Sequence, residues 1–235
     1  MKIWKYLLIL ILAIIFVYCL AEKRETFVLC LGDSITDSEW GNYPTHLNKL
    51  FVKRDVACTA ISRGRPGNTS GEYLEFFSNS KMLKKFNPRI IVIMLGTNDV
   101  RVDYDNTPTK KFKKNMSAII NIIRAYEKKE KYKIDVYICT IPPIFTADLH
   151  TFTKESIRRV EEEIVPAIEE LSVEHDLELI DLHSVFERNK DLLPGIHPSP
   201  GGYYKIGKVI FNRIMRDSRT YILSCTGEEC NLSDQ

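Results

Sequence analysis

Phe27-Val28-Leu29-Cys30-Leu31 followed by Gly32-Asp33-Ser34-Ile35-Thr36 is the stretch on which the fold turns. Five apolar residues in a row read as a strand covered on both faces, the pattern of a parallel sheet. Gly, Asp and Ser are turn formers, so the chain leaves that strand at once and carries Ser34 out over the carboxyl edge. Four more apolar runs follow at Val56–Ile61, Ile90–Leu95, Val136–Ile141 and Leu177–Leu182. Between them apolar residues recur at helical spacing, as in Tyr43, Leu47, Leu50 and Phe51, or Tyr203, Ile206, Ile210 and Ile214. Ile157, Val160, Ile164, Ile168 and Leu171 keep the same period, with Pro166 expected to kink that helix. Strands alternating with helices predict an α/β fold. We expect one three-layer α/β/α domain on a five-stranded parallel sheet in the flavodoxin-like order 2-1-3-4-5.

In such a sheet, ligands bind beyond the carboxyl ends of the strands, where the strand order reverses. That point lies between the first and third strands. Ser34 leaves the first, and Gly96-Thr97-Asn98-Asp99 leaves the third. Gly64-Arg65-Pro66-Gly67-Asn68-Thr69 follows the second. A serine attacks an ester only when a base takes its proton and donors receive the oxyanion. Among five histidines, His46 and His175 sit in charged helical patterns and read as surface groups, and His150 lies in a loop. His183 follows Asp181 at a strand end and reads as a structural hydrogen-bonder. His197, in Leu193-Pro194-Gly195-Ile196-His197-Pro198, is the one fixed by a Pro/Gly-built turn, and it is the candidate base.

These segments together resemble the SGNH hydrolases, the GDSL-type esterase superfamily, from about Phe27 to Ile214. Gly32-Asp33-Ser34-Ile35-Thr36 matches the nucleophile motif, Gly67 the backbone oxyanion donor, Asn98 the side-chain donor and His197 the catalytic histidine. The stretches Tyr137–Pro143 and Leu179–His183 resemble the branch that includes carbohydrate O-acetylesterases. The resemblance implies catalytic Ser34 and His197, an oxyanion hole of Ser34, Gly67 and Asn98, and no metal or organic cofactor. It departs in one place: Pro194 stands where the family carries an aspartate, three residues before the histidine. Asp191 is the nearest carboxylate that could be a third triad member; otherwise a serine–histidine dyad is implied. Asp33 and Asp99 read as loop-shaping groups, and Asp181 as structural. The expected activity is ester hydrolysis through an acyl-enzyme, with O-acetylated carbohydrate as substrate. A lysophospholipase or thioesterase is the alternative within enzymes, and an inactive carbohydrate-binding protein the alternative outside them. A flavodoxin-like nucleotide binder would explain none of the four motifs.

Length and composition agree with this. The 235 residues, 44% hydrophobic, suffice for one core, and 33 Lys+Arg against 31 Asp+Glu leave a net charge of +2, too balanced for a nucleic-acid partner. The lysines of Lys110–Lys133 alternate with Phe112, Met116, Ile119, Ile120 and Ile123, and read as the solvated face of a helix rather than a membrane or anion surface. A monomer acting on a small-molecule or carbohydrate ester is expected. Lys2 and Lys5, the uncharged run Tyr6–Ala21 and the charged Glu22–Glu25 form a secretory signal pattern with cleavage after Ala21. A membrane anchor over residues 3–21 is the alternative. The hydrolase domain then spans 22–216 and a polar tail 217–235. Cys30, Cys58 and Cys139 read as buried hydrophobes, whereas Cys225 and Cys230 suit a short-loop disulfide. Trp40 reads either as a packing aromatic or as a ring that stacks on a sugar. Asn68, Asn115 and Asn231 match the glycosylation pattern.

Overall fold

The structure, a computed structural model, describes residues 26–37, 42–103, 107–147 and 151–217. The leader pattern, Trp40, His150, Cys225, Cys230 and Asn231 lie outside the described residues. Five strands form one parallel sheet: β1 Thr26–Gly32, β2 Cys58–Gly64, β3 Ile90–Met94, β4 Asp135–Cys139 and β5 Glu178–Ile180. Their order is β2-β1-β3-β4-β5, as expected from the alternation of apolar runs.

Helices cover both faces. The first face carries α2 (Ser70–Asn79), α3 (Met82–Phe86), α4 (Thr109–Glu130), and α5 (Lys154–Arg159) with α6 (Val165–Glu174). The second carries α1 (Tyr43–Lys53), α7 (Leu182–Glu187) and α8 (Pro200–Asp217). Alternate strand residues point to the two faces, so the core is split: Leu29, Leu31, Ile91 and Ile93 meet α2 and α4. Val28, Cys30, Val92 and Met94 meet α1 and α8. Phe51 of α1 and Phe211 of α8 pack with ring centroids 5.5 Å apart. Cys30, Cys58 and Cys139 are buried, as expected.

Three local readings change. Strand β2 begins at Cys58, not Val56, and runs on through polar Ser62, Arg63 and Gly64. The reason lies at its start: Val56 N–H donates to the Phe51 carbonyl across a left-handed Asp55 (φ 50), so Val56 belongs to the exit from α1. Strand β5 is short because Asp181 leaves it to cap α7, and His183 falls in the first turn of that helix. Pro166 lies in the first turn of α6, where the broken helical pattern divides in two. Between α5 and α6 the chain makes a π-turn over Val160–Ile164, with Val165 N–H reaching back to the Val160 carbonyl. The wider turn absorbs the missing N–H and the bulk of the pyrrolidine ring.

Candidate active site

Ser34 is held by the turn that ends β1. Thr36 and Asp37 N–H groups both donate to the Asp33 carbonyl, at 3.1 Å each, and Ile35 N–H donates to Asp33 Oδ1 at 2.9 Å. The aspartate therefore closes the turn on itself, while Ile35, 1% exposed, anchors it in the core. Ser34 stays partly exposed. Burial pushes the Asp33 carboxyl up to about 7, against the pull of the Ile35 amide and of the neighbouring Thr97 hydroxyl. Among the described residues neither Asp33 Oδ2 nor the Thr97 hydroxyl completes a hydrogen bond.

His197 arrives from the far end of the chain. Pro198 behind it is buried, Ser199 N–H donates to the Leu192 carbonyl at 2.9 Å, and Ser199 Oγ accepts from Gly202 N–H at the start of α8. A buried proline and a capped helix fix the imidazole on both sides. Its Nε2 lies 2.8 Å from Ser34 Oγ. Burial lowers the His197 pKa from 6.5, which favours the neutral ring; a neutral ring with its proton on Nδ1 presents Nε2 as an acceptor. Asp191 is exposed, on a 3₁₀ turn over Lys190–Leu192, and forms no hydrogen bond or ion pair with His197.

The other two loops meet each other. Asn98, 7% exposed, donates from Nδ2 to the Asn68 carbonyl at 3.0 Å, which ties the loop after β3 to the Gly67 loop after β2. An amide nitrogen carries two hydrogens, so one donor remains. Gly67 has φ +77, a left-handed value that favours glycine, and a Cβ there would meet nothing within 4 Å. Gly96, at φ +132, admits Ile164 of the π-turn so closely that a Cβ would stand 2.9 Å from its Cγ2.

Behind these loops lies a buried clamp that sequence reasoning missed. Asp99 accepts from Ser70 Oγ at 2.6 Å and from Ser70 N–H at 2.9 Å, seating a carboxylate on the first turn of α2. Asn115 donates to the same Ser70 hydroxyl at 3.0 Å; its buried amide leaves no room for a glycan. Arg159, 4% exposed, donates to the Asp99 carbonyl at 2.8 Å, to the Thr107 carbonyl at 2.5 Å and to Glu163 at 3.1 Å. Arg159 gave no sequence signal, because an arginine inside an amphipathic helix reads as solvated. Asp181 accepts from Ser184 N–H and Thr140 Oγ, and its pKa is lowered despite partial burial. His183 Nε2 lies 3.0 Å from Glu161, and His175 Nε2 lies 2.9 Å from Ser117 Oγ; His46 packs edge-on against Tyr204. Among the described residues no cluster of His, Cys, Asp or Glu has the makings of a metal site.

Fold and site thus define a doubly wound α/β protein with a serine–histidine pair over the carboxyl edge of β1. A profile of the GDSL-like Lipase/Acylhydrolase family matches residues 30–205, and the chain belongs to that family. It is 28% identical over 204 residues to a multidomain esterase of Ruminococcus flavefaciens, covering 84% of this chain and 25% of that protein. It is 25% identical over 217 residues to an acetylxylan esterase of Xylanibacter ruminicola, covering 81% of this chain and 43% of the relative. The chain therefore spans less than half the length of either relative. A lipase/acylhydrolase from Enterococcus faecalis has the same fold, with TM-score 0.67 at 22% identity over 80% of this chain and 95% of that one.

Proposed function

We propose that the chain is a serine esterase acting through an acyl-enzyme, with O-acetyl groups on carbohydrate as its substrate. The 2.8 Å approach of His197 Nε2 to Ser34 Oγ carries the reading. In this mechanism Ser34 Oγ attacks the acyl carbonyl as Nε2 takes its proton. The oxyanion is received by the Ser34 and Gly67 N–H groups and by the remaining Asn98 amide hydrogen. The imidazolium then protonates the departing alcohol, and water, deprotonated in turn by His197, releases the acid. In this reading Asp191, exposed on its 3₁₀ turn, takes no part in the proton transfer. The carbohydrate assignment draws on the acetylxylan esterase among the relatives. Export rests on the leader pattern in residues 1–21.

The test is hydrolysis of acetylated xylo-oligosaccharides, p-nitrophenyl esters of increasing chain length and lysophospholipids, beside Ser34→Ala. Acetyl release from the oligosaccharides, abolished in a folded Ser34→Ala protein, is expected. Activity surviving that substitution would refute the nucleophile; a preference for long acyl chains would refute the substrate.

A further inference from the structure

The edge of the sheet opposite Ser34 is mixed in charge: Asp135, Asp176, Glu178 and Asp217 gather at its β4–β5 end, and lysines dominate the part beneath β3. All five strands start there, and α2 and α4 both descend to it before β3 and β4 begin. That topology sets α3 and the Lys81–Arg89 connection beside the last turn of α4 and the Lys131–Lys133 connection. Lys81, Lys84, Lys85, Lys128, Lys129 and Lys131 are all exposed on it. Three acidic residues stand among them: Glu127 is taken by Arg124 at 2.9 Å, Glu130 lies 3.8 Å from Lys129, and Asp135 lies 3.6 Å from Lys133. Helix C-termini attract cations, and this accounts for a lysine or two at the ends of α3 and α4. It does not account for a continuous field across two connections.

The lysines also ring an apolar floor. Phe77, Leu83, Ile122 and Tyr126 line an open cavity of about 350 Å³ together with Lys81, Lys84 and Lys129 and the hydroxyls of Ser78 and Ser80. Tyr132 stands nearby, edge-on to Tyr126, with the Arg89 guanidinium 4.1 Å above its ring. Cations around an apolar recess, with tyrosines at the rim, are what a bilayer interface selects: charge for the headgroups and amphipathic rings for the boundary. The chain enters β1 at this same edge, after the uncharged run Tyr6–Ala21 and the charge-balanced Glu22-Lys23-Arg24-Glu25. The lysines taken as a merely solvated helix face are only half of this surface; the fold supplies the other half from residues 81–89.

We propose that this amino-edge face docks on an anionic lipid bilayer, leaving Ser34 and His197 turned away from the membrane toward soluble or wall-bound ester. Each lysine near an anionic surface contributes about fivefold in affinity. The experiment is hydrogen–deuterium exchange of the full chain on vesicles of pure phosphatidylcholine and of phosphatidylcholine with phosphatidylglycerol, roughly 2:1. Protection over residues 80–89 and 124–133 is expected on the anionic vesicles only, and lost in about 1 M NaCl, where the screening length is about 3 Å. The triple variant Lys84→Gln/Lys128→Gln/Lys129→Gln, which alters only exposed side chains, should bind those vesicles about 100-fold more weakly. Protection that ignores lipid charge would overturn the proposal, since the apolar N-terminal run alone would then explain binding. So would protection around Ser34 and His197. Protection of this face by soluble polyuronate and not by vesicles would make the partner an acidic polysaccharide instead.

Discussion

Replacing Asp33 by Asn should make the protein more stable, and increasingly so as pH rises. The carboxyl is 1% exposed and burial holds its pKa at about 7, far above the 3.8 of a free aspartate. Below about pH 4 the group is protonated in both folded and unfolded chains, so its burial carries no electrostatic penalty. Between pH 4 and 7 the unfolded chain releases a proton that the folded chain retains, and stability falls. Above pH 7 the loss is complete. A shift of about three units amounts to roughly 4 kcal/mol at about 1.4 kcal/mol per unit, an upper figure because relaxation around the charge reduces it. Asn keeps the oxygen that accepts from Ile35 N–H, and its NH₂ can donate to the neighbouring Thr97 hydroxyl. The difference in unfolding free energy, Asp33→Asn minus wild type, should therefore grow by about 2–4 kcal/mol from pH 4.5 to 8. Urea denaturation of both proteins at matched pH measures it, and the subtraction removes every other titrating group. A difference flat to within about 0.5 kcal/mol would refute the reasoning, because Asp33 would then ionise normally inside the turn.

Two further outcomes bear on the proposed chemistry. Asn98→Ala should lower kcat by roughly 10²–10³ with KM little changed, since the amide acts on the oxyanion of the transition state; a change confined to KM would refute that role. Asp191→Asn should cost less than about tenfold in kcat and leave the acid limb of the pH–rate profile where His197 puts it, below pH 6.5; a loss of about 10³-fold in a folded protein would make Asp191 the missing acid.

What was legible in the sequence was whatever a short stretch states by itself. Parallel strands buried on both faces are written as runs such as Ile90–Met94, and their alternation with helices leaves few topologies. Ser34, Gly67, Asn98 and His197 each stand in a turn whose composition announces it, and the rule for ligand sites in open sheets gathers three of them. The structure adds that Ser34 and His197 are in hydrogen-bonding distance, across a chain separation no local pattern spans. The illegible part consists of side chains whose role depends on a distant partner. Arg159 looks like any helix arginine until two loop carbonyls, Asp99 and Thr107, are seen to need a donor. Pro166 looks like a helix breaker until the π-turn gives its ring room. Both lie in the segment that backs the Asn98 loop, where Gly96 presses on Ile164. The same logic applies to the lysine-rich part of the opposite edge: neither lysine cluster is unusual alone, and only the descent of α2 and α4 to one sheet edge makes them a surface. Sequence patterns report what each element buries, whereas the positioning of the Gly67 and Asn98 loops and the charge of a face arise from which elements meet.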